Sequence, residues 1–282
     1  MLLAVGLCAV AVAYVVFAVT SASLPPPAEQ HFTRPAAAGE VPLHIYVEVL
    51  SFDPMRDALE VELNFSIAGG KLGSRFAGEA DRDMIIRLAD GFADRQILLR
   101  RGQPMQPVTS LVNLRGGSID AYPFDRYHAE LFLDAQAGTA GSEGPKLPLQ
   151  IAVWSRLAAW DIRVALMSQP PQPEGLALAI QVVRPGQVRF FALTLFGAMA
   201  LVGCIGLAIG LLLSLTRRRM DTTMASVLSA MTFALPVMRT ILPGAPPLGV
   251  RADSFVFLWA ELAVVIGLAL VIGTWALRGD ER

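Results

Sequence analysis

Four long runs of apolar residues punctuate this chain, at residues 2–19, 190–215, 225–242 and 255–277; between the first and the second the apolar stretches are short and often alternating. The run at 190–215 holds no charge, and the other two C-terminal runs hold one each, Arg239 and Glu261. A helix rises about 1.5 Å per residue, so about 20 residues cross a hydrocarbon core of about 30 Å. Backbone groups in lipid have to be satisfied internally, which makes helices the expected form. The pattern predicts a domain of three transmembrane helices over residues 190–282. The run at 2–19 predicts one more. It lacks the basic start and shorter core of a signal peptide, which favours an uncleaved anchor over residues 1–20. Thr20, Ser21 and Ala22 still offer a cleavage site, and the missing basic start points to a true N-terminus upstream.

Residues 40–189 follow another period. Leu59, Val61, Leu63 and Phe65 alternate with Glu60, Glu62 and Asn64, the mark of a strand with one buried face. Strand-like runs also occupy 43–49, 84–88, 96–99, 108–114, 127–133, 147–153, 162–167 and 176–183. Short strands at this spacing predict a β-sandwich. Residues 21–39 are rich in Pro and Ala and predict a tether, residues 136–145 a loop, and Arg184, Pro185 and Gly186 a turn. The fold class expected is a mainly β, sandwich-like extracytoplasmic domain plus an α-helical transmembrane region with one N-terminal and three C-terminal helices.

Basic residues set the orientation. Arg217, Arg218 and Arg219 follow one apolar run, and Arg278 and Arg282 follow the last. The positive-inside rule puts both sites in the cytoplasm. Both termini are then cytoplasmic and residues 21–189 extracytoplasmic, in a multi-pass protein of the cell membrane. Residues 21–189 hold 16 basic and 19 acidic side chains, a formal net charge of −3, too mild for nucleic-acid binding. Both cysteines, Cys8 and Cys204, fall in apolar runs, so the exported domain has to rely on its core rather than on disulfides.

Chemical motifs are sparse. No nucleophile elbow, phosphate loop or metalloprotease helix occurs, and His31, His44 and His128 share no ligand spacing. No catalytic residue, cofactor or metal is expected. The sharpest local feature is Tyr122, Pro123, Phe124, Asp125, Arg126 and Tyr127. Pro123 holds Tyr122 extended, which sends Tyr122 and Phe124 one way and Asp125 the other. Asp125 suits backbone N–H groups at the entry to the next strand, and Arg126 suits a carboxylate. A structural corner or coupling loop is expected, with a binding rim as the alternative. Arg239 and Glu261 lie toward the outer ends of antiparallel helices, where charges pair or face a cavity. An Arg239–Glu261 pair is one expectation, Arg239 snorkelling to the headgroups a second, and a transport pathway a third. Gly203, Gly206 and Gly210 permit close helix packing.

The arrangement resembles an uncharacterised membrane-protein family built on domain of unknown function 4436. The resembling features are the N-terminal apolar segment, the long extracytoplasmic region carrying residues 122–127, and three closing helices. The resemblance covers nearly the whole chain. That family has no established activity, so no catalytic role is implied. Tyr122, Pro123, Phe124 and Asp125 also resemble the aromatic-Pro-Phe-Asp loop of pentameric ligand-gated channels, which joins an extracellular sandwich to a membrane domain. The match is local, because four helices follow the sandwich in those channels; it implies a coupling loop. The function expected is an envelope interaction, sensing or assembly module, seated in the lipid bilayer with a membrane or envelope protein partner. A subunit of a transporter or channel using Arg239 and Glu261 is the alternative.

Overall fold

The structure, a computed structural model, describes residues 30–33, 42–67, 78–139, 144–157, 159–167, 175–216 and 222–278. The expected N-terminal anchor at 1–20, the cleavage site, and the basic residues Arg217, Arg218, Arg219 and Arg282 lie outside the described residues. The chain divides into two units: residues up to Ser118 together with Arg126–Val183, and Ile119–Asp125 together with Arg184–Arg282.

The first unit is built from two five-stranded sheets. One runs β1 (Gln30–Thr33), β8 (Leu149–Ser155), β2 (Leu43–Asp53), β3 (Ala58–Ile67), β6 (Val108–Asn113). It is mixed, because β2 and β8 pair in parallel with Leu43 opposite Leu149. The other is antiparallel throughout: β5 (Asp94–Leu99), β4 (Met84–Ala89), β7 (Arg126–Ala137), β10 (Leu176–Val183), β9 (Asp161–Leu166). Strict alternation puts Leu43, Ile45, Val47 and Val49 of β2 and Leu59, Val61, Leu63 and Phe65 of β3 into one core with Leu131, Leu133, Leu178 and Ile180 of the second sheet. A bulge between Val49 and Ser51 shifts the register, and Phe52 then meets Trp160 and Tyr127 edge-on, at 4.7 and 4.9 Å between ring centroids.

Each strand expected from periodicity is present, and one more appears. Gln30–Thr33, placed in the tether by composition, is an edge strand paired with β8. Phe32 packs on the core, and the Gln30 side chain accepts from Val164 N and donates to Ile162 O in the opposite sheet. Gln136 and Ala137, expected in a loop, extend β7. Asp90 closes the β4–β5 turn. One carboxylate oxygen accepts from Phe92 N and Ala93 N and the other from Asn113 N and Nδ2.

The second unit has three helices among its described residues, α1 (Gly186–Leu215), α2 (Thr222–Thr240) and α3 (Leu258–Arg278), with a π-helical turn at Asp253–Phe257 leading into α3. α1, and α3 with its π-turn, are long and apolar enough to cross a membrane. α2, expected as a third and shorter span, falls below them in apolar content, because its hydroxyls, Pro236 and Arg239 dilute it. Gly203, Gly206 and Gly210 seat α1 against Ala260, Val264 and Gly267 of α3. A Cβ on Gly203 would lie 2.7 Å from Ala260 Cα, and one on Gly210 2.5 Å from Gly267 Cα. Contacts that advance together along both helices make α1 and α3 parallel.

Candidate functional site

The hexapeptide at 122–127 is divided between the two units. Arg126 and Tyr127 begin β7, with Arg126 exposed and Tyr127 in the sandwich core. Ile119–Asp125 belongs to the helical unit. A single 3-10 turn, Ile119–Ala121, starts this loop; Tyr122 N and Phe124 N donate back to Ile119 O and Ala121 O. The Tyr122-Pro123 peptide is cis. Tyr122 and Asp125 turn inward and Phe124 stays 54% exposed. The expected grouping of Tyr122 with Phe124 against Asp125 is thereby corrected.

The anchor for this loop is Arg184, which follows β10 directly. Its Nε donates to Asp125 Oδ1 at 2.7 Å, and both side chains are 0% exposed. The guanidinium sits 4.6 Å from the Tyr122 ring centroid, a cation–π arrangement, and Nη1 reaches Pro243 O at 3.5 Å. The Tyr122 hydroxyl donates to the same carbonyl at 3.1 Å. Gly244, at φ +77°, lets the backbone pass over Arg184, for a Cβ there would stand 2.5 Å from Nη1. Burial pushes the Tyr122 phenol up to about 12, against the opposing pull of Arg184.

A second arginine holds the other side of the α2–α3 connection. Arg239 donates to Asp253 through Nε at 2.5 Å and Nη2 at 2.8 Å. Nη2 also reaches Pro246 O and Pro247 O, and Gly249 N donates to Asp253 Oδ2. Bidentate pairing suits the planar guanidinium fork. The partner of Arg239 is thus Asp253, in the turn before α3, and not Glu261. Glu261 lies further along α3, half-buried, with Oε2 enclosed and without a hydrogen-bond partner among the described residues.

The two residues that complete these clamps, Arg184 and Asp253, escape periodicity arguments. Arg184 looks like part of a Pro-Gly turn, and Asp253 like a loop acid. The one available signal is a charge placed at each border of an apolar run. Chemistry elsewhere is quiet. His44 on β2 and His128 on β7 belong to different sheets, and no group of His, Cys, Asp and Glu gathers to hold a metal ion among the described residues.

Residues 32–182 match a domain of unknown function, DUF4436, and residues 184–278 match a second domain of unknown function, DUF8686. The border between these matches coincides with the passage of the chain from Val183 in one unit to Arg184 in the other. No curated protein matches the chain.

Proposed function

The chain belongs to the DUF4436 family, and on that footing we propose an integral membrane protein whose exported β-sandwich is an interaction, sensing or assembly module of the envelope. The observation that carries this reading is the construction of Ile119–Asp125 into the helical unit, with Asp125 bonded to Arg184. The chain passes between the units at Ser118–Ile119, Asp125–Arg126 and Val183–Arg184. A partner that shifts the strand ends at Arg126 or Val183 pulls directly on this buried pair and on the start of α1.

The helical surface supports the membrane seat. Only 22% of each long apolar window is buried, and Leu201, Leu212, Phe255, Trp259 and Trp275 are exposed. A core helix of a water-soluble protein hides such residues. If the parallel helices α1 and α3 both cross, the chain has to return between them, and α2 is the segment available. The reading of a transporter or channel subunit receives no support from Arg239, whose Nε and Nη2 are engaged by Asp253 and two prolyl carbonyls.

The test uses full-length protein in intact cells. Protease added outside is expected to cut the sandwich while the chain stays with the membrane after an alkaline wash. A sandwich digested only after lysis, or a chain released by the wash, overturns the proposal.

A further inference from the structure

Between Leu258 and Leu277, Glu261 is the only ionisable residue of α3. Its Oε2 is enclosed and meets no donor among the described residues. The residue as a whole is half-buried, which leaves part of it open to the outside of the helical unit. Arg239 is not its partner, since Nε and Nη2 of that residue are engaged by Asp253, Pro246 O and Pro247 O. An ionisable group in hydrocarbon is held by a partner or faces a cavity. The partner Glu261 lacks has to approach over the outer face of α3.

The spacing along α3 shows which face that is. Leu258, Glu261, Val265, Leu268, Ile272 and Trp275 follow one another in alternating steps of three and four residues, the period of about 3.5 residues of a coiled-coil seam. The face that packs on α1 is a different one, made by Ala260, Val264 and Gly267. On the seam Leu258, Val265, Ile272 and Trp275 are exposed, so another helix can lie along it. Lipid tails satisfy its apolar positions but offer nothing to a carboxyl. A single polar residue in an apolar seam fixes the register and the number of strands.

We propose that this seam pairs α3 in parallel with α3 of a second copy of the chain, the two Glu261 carboxyls meeting on the two-fold axis. The inference rests on the membrane reading above and deepens it by assigning a partner within the bilayer. A two-fold axis along the membrane normal sets each residue of the seam opposite its own copy, so the carboxyls meet at one depth without any further element. A protonated carboxyl carries one donor and keeps an acceptor, so two such groups are complementary to each other. Their bond adds no second charge to hydrocarbon, as a lysine or arginine partner would. Leu258 and Val265, one turn to either side, close the seam around them.

The experiment uses the full-length chain in native membranes, with Cys8→Ala and Cys204→Ala removing the native thiols and two differently tagged copies expressed together. Val265→Cys reports on the seam. Ile266→Cys is its control, because the two positions are adjacent and equally exposed, at 43% and 42%, yet only Val265 lies on the seam. Mild oxidation is expected to join the two tags at least about tenfold faster through Val265→Cys, since the rate follows effective concentration. Equal rates, or disulfides to other proteins only, overturn the proposal. In the Val265→Cys background, Glu261→Leu is expected to lower the cross-linked fraction about tenfold, the effect of one hydrogen bond between helices in a membrane. Glu261→Gln, which keeps a donor and an acceptor, is expected to retain it. A leucine variant that cross-links like the parent, or a glutamine variant that fails like leucine, overturns the proposal. The comparison of positions 265 and 266 leaves Glu261 in place and decides the case in which the leucine variant does not accumulate. Release of the chain from the membrane by alkaline wash removes the membrane reading itself, whereas a retained chain without the seam cross-link removes only this inference.

Discussion

The sandwich and the helical unit place their charges in opposite ways. In the sandwich the core is apolar and most ion pairs are exposed: Arg163–Asp161 has side chains 64% and 40% exposed, and Arg82–Asp81 52% and 44%. In the helical unit the pairs are interior, Arg184–Asp125 at 0% and 0% and Arg239–Asp253 at 6% and 4%, while leucines and tryptophans cover the outside. On the membrane reading proposed above, the inversion is what a change of solvent demands. Water rewards exposed charge, and hydrocarbon penalises it until it is paired and enclosed. The same residue types therefore carry different energetic weight on either side of Val183.

The largest effect expected from breaking this contrast is at Asp253. Asp253→Ala leaves Arg239 buried without its carboxylate, which costs about 3–5 kcal/mol. A large drop in folded yield and in melting temperature in detergent is expected. Asp161→Ala in the sandwich removes an exposed pair worth at most about 1 kcal/mol, and its melt is expected to stay near that of the parent. Comparable losses in the two variants would erase the distinction.

Packing offers a second, smaller contrast within α1. Gly210→Ala drives a Cβ to 2.5 Å from Gly267 Cα, and backbone does not yield as a side chain does. A loss of about 1–3 kcal/mol is expected. Gly197→Ala meets nothing within 4 Å and is expected to be neutral or to gain up to about 1 kcal/mol of helix propensity. Thermal melts of the two variants in one detergent decide the matter.

The two units should also fail at opposite ends of the pH scale. Burial acts to raise the Asp90 carboxyl, but the N–H groups of Asn113, Ala93 and Phe92 outweigh it and hold the group below its ordinary value. Its stabilisation is complete above the unfolded carboxylate value of about 3.9 and is lost as pH falls through the depressed folded value. Asp90→Asn is expected to flatten the acid limb of the sandwich's stability. Tyr122 runs the other way. Its folded value is raised, so its contribution is complete below about 10, the unfolded phenol value, and fades as pH rises through about 12. Tyr122→Phe is expected to cost about 1 kcal/mol at neutral pH through the lost bond to Pro243 O and to weaken this alkaline decline, as read from pH-dependent melts. An unchanged alkaline limb would separate Tyr122 from the stability of its unit.

Legibility differed between the units for a physical reason. Periodicity of two in Leu59–Phe65 and its neighbours carried the sandwich, because each buried side chain marks its own face. Gln30–Thr33 is too short for a period to show and is recruited by the free edge of β8. The helices were legible as runs. Arg239 and Glu261 then looked like partners because helix geometry relates residues at similar depth, but the turn ahead of α3 delivers Asp253 to Arg239 first. Of the coupling loop, the sequence marked the residues without showing that Asp125 is held by Arg184, far along the chain.

The order of apolar and polar positions was enough by itself to determine a β-layered block followed by lipid-compatible helices, since burial of apolar surface depends on local period and run length. Tertiary structure alone decided which charges meet, which unit receives Ile119–Asp125, and that glycines draw α1 onto α3. Those outcomes depend on distances between residues remote in the chain, and no period along a sequence encodes them.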